Sequence, residues 1–265
     1  MLNKFILFQD SCEIMKRAFE LTAADLYPDI MNIYGDKGNV LYFKYRASTY
    51  GISLKIENIS LEAGFNLDNA DIIFMGGGQD AEQALIYDDF IKNKKNILKE
   101  ALDKNKIMLA VCGGYQLLCD YYKPLDNKII KGLSLFKGYT EAKSPRLTGN
   151  IAIKFGDAVA VGFENHGGRT YLDKCQEPFG TVLRGFGNNG EDKTEGARTN
   201  NFFGTYLHGS FLPKNFVFCD YLIDIALKNR YNVSLDEVIK INHVKVDNSF
   251  EINARKDIKD LKGVI

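Results

Sequence analysis

The stretch Leu109–Leu118 reads LAVCGGYQLL: an apolar run stops on a cysteine, turns through two glycines and resumes as a helix-like pattern. The run extends back through KIMLAV (106–111), a short, continuously apolar segment of the kind that a sheet buries on both faces. Two adjacent glycines weaken any strand or helix they interrupt, so their place at this junction marks a turn that needs backbone freedom. A sharp strand-to-helix turn lifts its central side chain out of the sheet and sets it beside backbone N–H groups. A thiol there also feels the positive end of the helix dipole, which favours thiolate. Cys112 is therefore the candidate nucleophile, against the alternative of a small buried core residue.

Outward from this turn the same grammar repeats. DIIFMGGG (71–78) is a buried-type strand closing in three glycines, ISLKIENI (52–59) alternates like a strand, and PDIMNIY (28–34) reads as a further strand before the turn GDKGN. VLYFKYRASTYG (40–51) has helical spacing with a glycine at its end, and 80–105 reads as one or two helices. Asp80 is the expected N-cap there, with Gln83 completing a capping box. GGYQLLCDYY (113–122) opens another helix. Strands alternating with helices, several of them continuously apolar, predict an α/β fold with a mostly parallel central sheet and helices on both faces. The second half is richer in short strands and turns (149–155, 158–165, 181–186, 201–207) before a helix at 215–230. Ligands of open α/β sheets bind beyond the carboxyl ends of the strands, which makes the turns MGGGQDAEQ and VCGGYQ candidates for one shared site.

Bulk composition narrows the function classes. In 265 residues, 34 Lys plus Arg balance 34 Asp plus Glu, and a formal charge of zero argues against general nucleic-acid binding. No apolar run approaches the ~18 residues that span a bilayer, and the lead segment MLNKFILFQD has too short an apolar core for a signal peptide. The five cysteines (Cys12, Cys112, Cys119, Cys175, Cys219) show no C-x-x-C pair, so neither a disulfide framework nor a metal site is expected. The expected compartment is the cytoplasm, with reduced thiols.

A thiolate nucleophile needs a base, and the chain offers three histidines. His243, in KINHVKV, reads as structural or exposed. His208, in GTYLHGSF, ends a strand-like run with Gly209 behind it and is the expected base; His166, in FENHGGRTY, is the alternative. GFGNNG (185–190) formally satisfies G-x-G-x-x-G, but EDKTEG follows it instead of an amphipathic helix, so it reads as a turn and not a dinucleotide site. No G-x-x-x-x-G-K-[ST] occurs, which excludes a P-loop ATP site of that type.

Taken together, PDIMNIYGDKGNV, MGGGQDAEQ, VCGGYQLL, RLTGNI, GFENHGGRTY, GNNGED and GTYLHGSFLPKN resemble the class I (triad-type) glutamine amidotransferase domains, in the cobyric-acid-synthase-like branch. The resemblance is closer still to the glutaminase subunits of lipid II isoglutaminyl synthases. It implies an amidotransferase domain over 19–230, an N-terminal extension of unknown role at 1–18 and a C-terminal helical tail at 231–265. It further implies that Cys112 attacks the glutamine amide and that His208 shuttles the proton. Backbone amides of Gly113 and of the GGG turn, at Gly77 or a residue to either side, would stabilise the oxyanion, and Arg146 would hold the substrate carboxylate. Gln79 and Gln116 are expected at the pocket. Where many relatives carry His-x-Glu, this chain has His208-Gly209-Ser210, so the expectation is a Cys–His dyad completed by an acid from a partner, with Glu164 as an alternative local orienter of the imidazole. The resemblance implies a heterodimer with a Mur-ligase-like synthetase that binds ATP and Mg and amidates membrane-bound lipid II in peptidoglycan synthesis. No cofactor is expected in this chain, and neither membrane insertion nor nucleic acid. Three alternatives stay open: a different acceptor, such as a corrinoid carboxylate, a catalytically inactive regulatory module, or a thiol peptidase or hydrolase of similar fold.

Overall fold

The computed structural model describes residues 19–256 apart from 65 and 127, together with 258, 261 and 263; the extension at 1–18, with Cys12, lies outside the described residues. Two six-stranded sheets organise the chain. The first is built from β1 (Phe19–Leu26), β2 (Ile52–Ile59), β3 (Ile72–Met75), β4 (Ile107–Val111), β11 (Ala197–Thr199) and β12 (Phe202–Thr205) in the order β11-β12-β4-β3-β1-β2. Its pairs are parallel except β11 with β12. β3 and β4 are buried at every position, as continuous apolar runs require when both faces are covered.

The helix α1 (Lys37–Thr49) links β1 to β2, whereas α2 (Asp80–Asp89), the π-turn Phe90–Lys94 and α3 (Lys95–Asp103) link β3 to β4. These two crossovers run in opposite directions along the sheet, and right-handed crossovers then put their helices on opposite faces. The switch point between them lies at β1 and β3. The α5 helix (Phe216–Tyr231) packs against α1, and α6 (Leu235–Ile241) and α7 (Ser249–Lys256) close the C-terminal side.

The second sheet holds β5 (Tyr121–Lys123), β6 (Ile130–Lys131), β7 (Gly138–Phe155), β8 (Ala158–Leu172), β9 (Gly180–Arg184) and β10 (Thr194–Glu195). Where short strands were expected, β7 and β8 form one antiparallel hairpin of 18 and 15 residues. Its register breaks between Ala142 and Leu147, and this bulge bends the hairpin and carries Arg146.

Three expectations shift. PDIMNIY is not a strand: Pro28 begins a turn in which the Ile30 and Met31 amides both reach the Tyr27 carbonyl, and a 3-10 turn follows at Ile33–Gly35. The strand is the preceding FELTAADL, whose buried Asp25 and interspersed Glu20 and Thr22 dilute its apolar signature. The cap of α2 falls one residue early, on Gln79, whose amide donates to Glu82 at 2.9 Å; Gln83 is turned inward instead.

Candidate active site

The turn after β4 places Cys112 at φ 48°, ψ −106°, a strained conformation for a residue with a Cβ. Its amide is tied to the Thr205 carbonyl at the end of β12, and its carbonyl accepts the Gln116 amide as α4 (Gly113–Leu118) begins. The glycines that follow supply space: a Cβ on Gly113 would stand 2.4 Å from the Gly78 carbonyl oxygen, and one on Gly114 would stand 2.8 Å from that of Gly76. Backbone freedom is thus spent at the cysteine itself, and Gly113 and Gly114 let α4 press against the glycine loop after β3. Cys112 is 8% exposed and opens on a cavity of about 380 Å³.

His208 follows β12, with its backbone bridged both ways to Phe163 of β8. The left-handed Gly209 and Ser210 then turn the chain away. The imidazole is buried, and its Nδ1 lies 3.1 Å from Asp36 Oδ1. Nε2 has no hydrogen-bond partner among the described residues and is the nitrogen left open to the thiol. Burial opposes the charged ring, but the Cys112 thiolate and the Asp36 carboxylate outweigh it and hold the pKa up to about 10. The arrangement favours a charged imidazolium oriented by a carboxylate beside the Cys112 thiol.

Asp36 corrects the expected dyad. No acid stands two residues after His208, yet one arrives from the turn before α1, 172 residues away, fully buried. Its other oxygen, Oδ2, accepts the Gly77 amide at 2.8 Å. That bond removes Gly77 as an oxyanion donor. The adjacent Gly78 amide makes no such bond among the described residues and sits 2.8 Å from where a Cβ on Gly113 would stand. The candidate donors are therefore the amides of Gly78 and Gly113. Gly77 packs instead against the His208 ring, with a Cβ there meeting Cε1 at 3.0 Å. Glu164 is not the orienter of His208 either: its carboxylate accepts the amides of Phe186 and Gly187 at 2.8 and 2.9 Å, anchoring the turn 185–190. No helix follows that turn.

The cavity gathers Gln79, Gln116, Arg146 and His166 around Cys112. Gln116 is buried in its floor, donating to the Tyr206 hydroxyl at 3.1 Å. His166, the alternative base, lies in the cavity wall. It stacks on Tyr206 at 3.7 Å, donates from Nδ1 to the Gly168 carbonyl, and is kept neutral by burial. His243 is exposed at the end of α6. Arg146 reaches the rim, where its Nε and Nη2 donate to the side-chain and backbone oxygens of Asn165 at 2.8 and 2.6 Å. Asn165 in turn donates to the Tyr34 hydroxyl at 2.8 Å, and Tyr34 stands edge-on to the His208 ring at 5.0 Å. Asp36, Tyr34 and Asn165 were not singled out from the sequence, although each lies in a segment that carried the resemblance. Among the described residues no group of three or more His, Cys, Asp or Glu side chains is disposed to hold a metal ion, and no helix is long and apolar enough to cross a membrane.

The sequence model of the CobB/CobQ-like glutamine amidotransferase domain matches residues 22–216. The chain is 41% identical over 247 residues to the lipid II isoglutaminyl synthase (glutamine-hydrolyzing) subunit GatD of Staphylococcus aureus, spanning 91% of this chain and 96% of that one. It is 41% identical over 216 residues to the subunit of the same name from Streptococcus pneumoniae, spanning 80% and 83%. Among solved structures, PurLQS from Thermotoga maritima superposes with a TM-score of 0.53 at 14% identity, covering 83% of this chain and 97% of that chain, a likeness of fold.

Proposed function

The chain belongs to the CobB/CobQ-like glutamine amidotransferase family, and on that premise we propose that it is the glutaminase subunit of a lipid II isoglutaminyl synthase, with Cys112, His208 and Asp36 as its catalytic triad. The observation that carries the reading is the line Cys112–His208–Asp36 at the carboxyl edge of a parallel sheet, opening on a cavity with Arg146 at its rim. The acceptor is supported by the 41% identity that spans nearly the whole length of the Staphylococcus aureus GatD subunit.

In the proposed reaction, Arg146 holds the α-carboxylate of L-glutamine, a task suited to a planar, multiply donating cation. The Cys112 thiolate adds to the side-chain carbonyl carbon, and the resulting oxyanion is met by the Gly113 and Gly78 amides, already aimed and needing no reorganisation. The His208 imidazolium donates its proton to the departing nitrogen; the C–N bond breaks, ammonia leaves and a γ-glutamyl thioester remains on Cys112. Neutral His208 then takes a proton from water as it attacks, and the C–S bond breaks to release glutamate and restore the ion pair. Asp36 orients the ring and stabilises its charged form throughout.

The ammonia passes to a Mur-ligase-like synthetase, which would hold ATP and Mg and activate the α-carboxyl of D-isoglutamate in lipid II. Because Asp36 comes from this chain, the triad needs no acid from the partner. Co-expression of the two subunits with lipid II, ATP and glutamine labelled with ¹⁵N at the amide tests the assignment. The label is expected at the isoglutamine carboxamide; labelled ammonia without transfer to lipid II would overturn the acceptor, and absence of both would overturn the glutaminase.

A further inference from the structure

Gln83 lies on α2 beyond the residues that cap it, and its side chain is 1% exposed in the cavity wall. Its Nε2 donates to the Gly78 carbonyl at 3.3 Å and to Gln116 Oε1 at 3.0 Å. The backbone carbonyl accepts only, so it fixes which end of the carboxamide is nitrogen. The same Nε2 would lie 3.1 Å from a Cβ on Gly113. One amide group thus touches the loop after β3, the start of α4 and the cavity floor. Its Oε1 is left buried with no hydrogen-bond partner among the described residues. An apolar side chain of that size would spare this orphan but leave the buried Gln116 Oε1 without its donor, so the carboxamide is held here for what its nitrogen bonds and not for packing alone.

We propose that Gln83 is a positioning residue for the oxyanion site. By pinning the Gly78 carbonyl against Gln116, it sets the orientation of the glycine turn whose Gly78 amide, with that of Gly113, meets the developing negative charge. The effect acts through Gly78 and Gln116 and involves no contact with substrate. It rests on the glutaminase reading.

The test separates reactions that form an oxyanion from one that does not. Glutamine hydrolysis passes through a tetrahedral oxyanion, whereas alkylation of Cys112 by iodoacetamide is a direct displacement at carbon. Gln83→Leu removes the donor at similar volume, and Gln83→Glu keeps the shape while setting a carboxylate oxygen against two carbonyl oxygens. In the full-length chain with its synthetase partner, both are expected to lower kcat for glutamine by about 10- to 100-fold, below the ~10²–10³ for deleting an oxyanion donor outright, with KM little changed. The rate of Cys112 alkylation and its pH dependence should match the unmodified chain, which also shows that the variants are folded. Full kcat in either variant, or alkylation falling in step with kcat, would overturn the inference. An unmodified chain that labels at Cys112 but hydrolyses no glutamine would overturn the glutaminase reading and the inference with it.

Discussion

At the scale of single residues, the central fact is that an imidazole between a thiol and a buried carboxylate has its pKa held up to about 10. His208 is protonated through the neutral range and loses its proton as pH rises through about 10, so the leaving-group acid is available below that value and lost above it. The same shift stabilises the fold below the ordinary imidazole range, a contribution that disappears through the raised value. Asp36→Asn removes one of the two charges that hold the shift. In this variant kcat is expected to fall by about 10²–10⁴-fold and the basic limb of the kcat/KM profile to move down in pH. A profile unmoved by the substitution, measured between neutral pH and the alkaline limb, would remove Asp36 from the triad. Cys112 and His208 were legible in the sequence because their chemistry is scarce and each sits beside glycine. Asp36 was not, because the His-x-Glu spacing is absent here and the acid instead reaches His208 across 172 residues of chain from an irregular turn.

At the scale of elements, the β4–α4 elbow concentrates strain in one residue. A positive φ with ψ near −106° is open to glycine and costly for anything with a Cβ, on the order of 1–3 kcal/mol. Cys112 is the N-cap of α4, where glycine already exceeds alanine, and the strained backbone should widen that gap. Cys112→Gly is expected to be more stable than Cys112→Ala by about 1–2 kcal/mol in denaturant unfolding, both being inactive. Equal stability would mean that the elbow is relaxed. The elbow itself was readable from LAVCGGYQLL, but the division of labour within it was not. Pattern alone pointed to glycine flexibility, whereas only the contacts of Gly113 with Gly78 and of Gly114 with Gly76 show that the need is for close approach. The β1 misreading has a similar origin. Its polar positions, including Asp25, break the apolar run that marks a buried strand, while Ile30, Met31 and Ile33 imitate one in a turn begun by Pro28.

At the scale of the whole molecule, the site stands where two sheets meet: Cys112, His208 and Asp36 follow strands of the first, and Arg146 and Asn165 belong to the hairpin of the second. The parallel sheet was legible from alternating strand and helix patterns, but the long hairpin was not, since its bulge and turns divide it into segments that read as separate short strands. The first sheet is secured from behind by Arg46. Its buried guanidinium bonds both oxygens of Asp220 on α5 at 2.7 and 2.6 Å and Asn248 at 2.8 Å, with Glu251 of α7 at 3.7 Å. Arg46→Met would strand those carboxylates and is expected to cost about 3–5 kcal/mol, with earlier proteolysis after Tyr231. Undiminished stability would show that α7 docks without this cluster. The most direct measurement of the central claim is mass-spectrometric mapping of the isolated chain after exposure to a diazoketone analogue of glutamine. A single adduct on Cys112, slowed in Asp36→Asn and blocked by excess glutamine, is the predicted result. No adduct, or labelling of the exposed Cys175 at an equal rate, would contradict it.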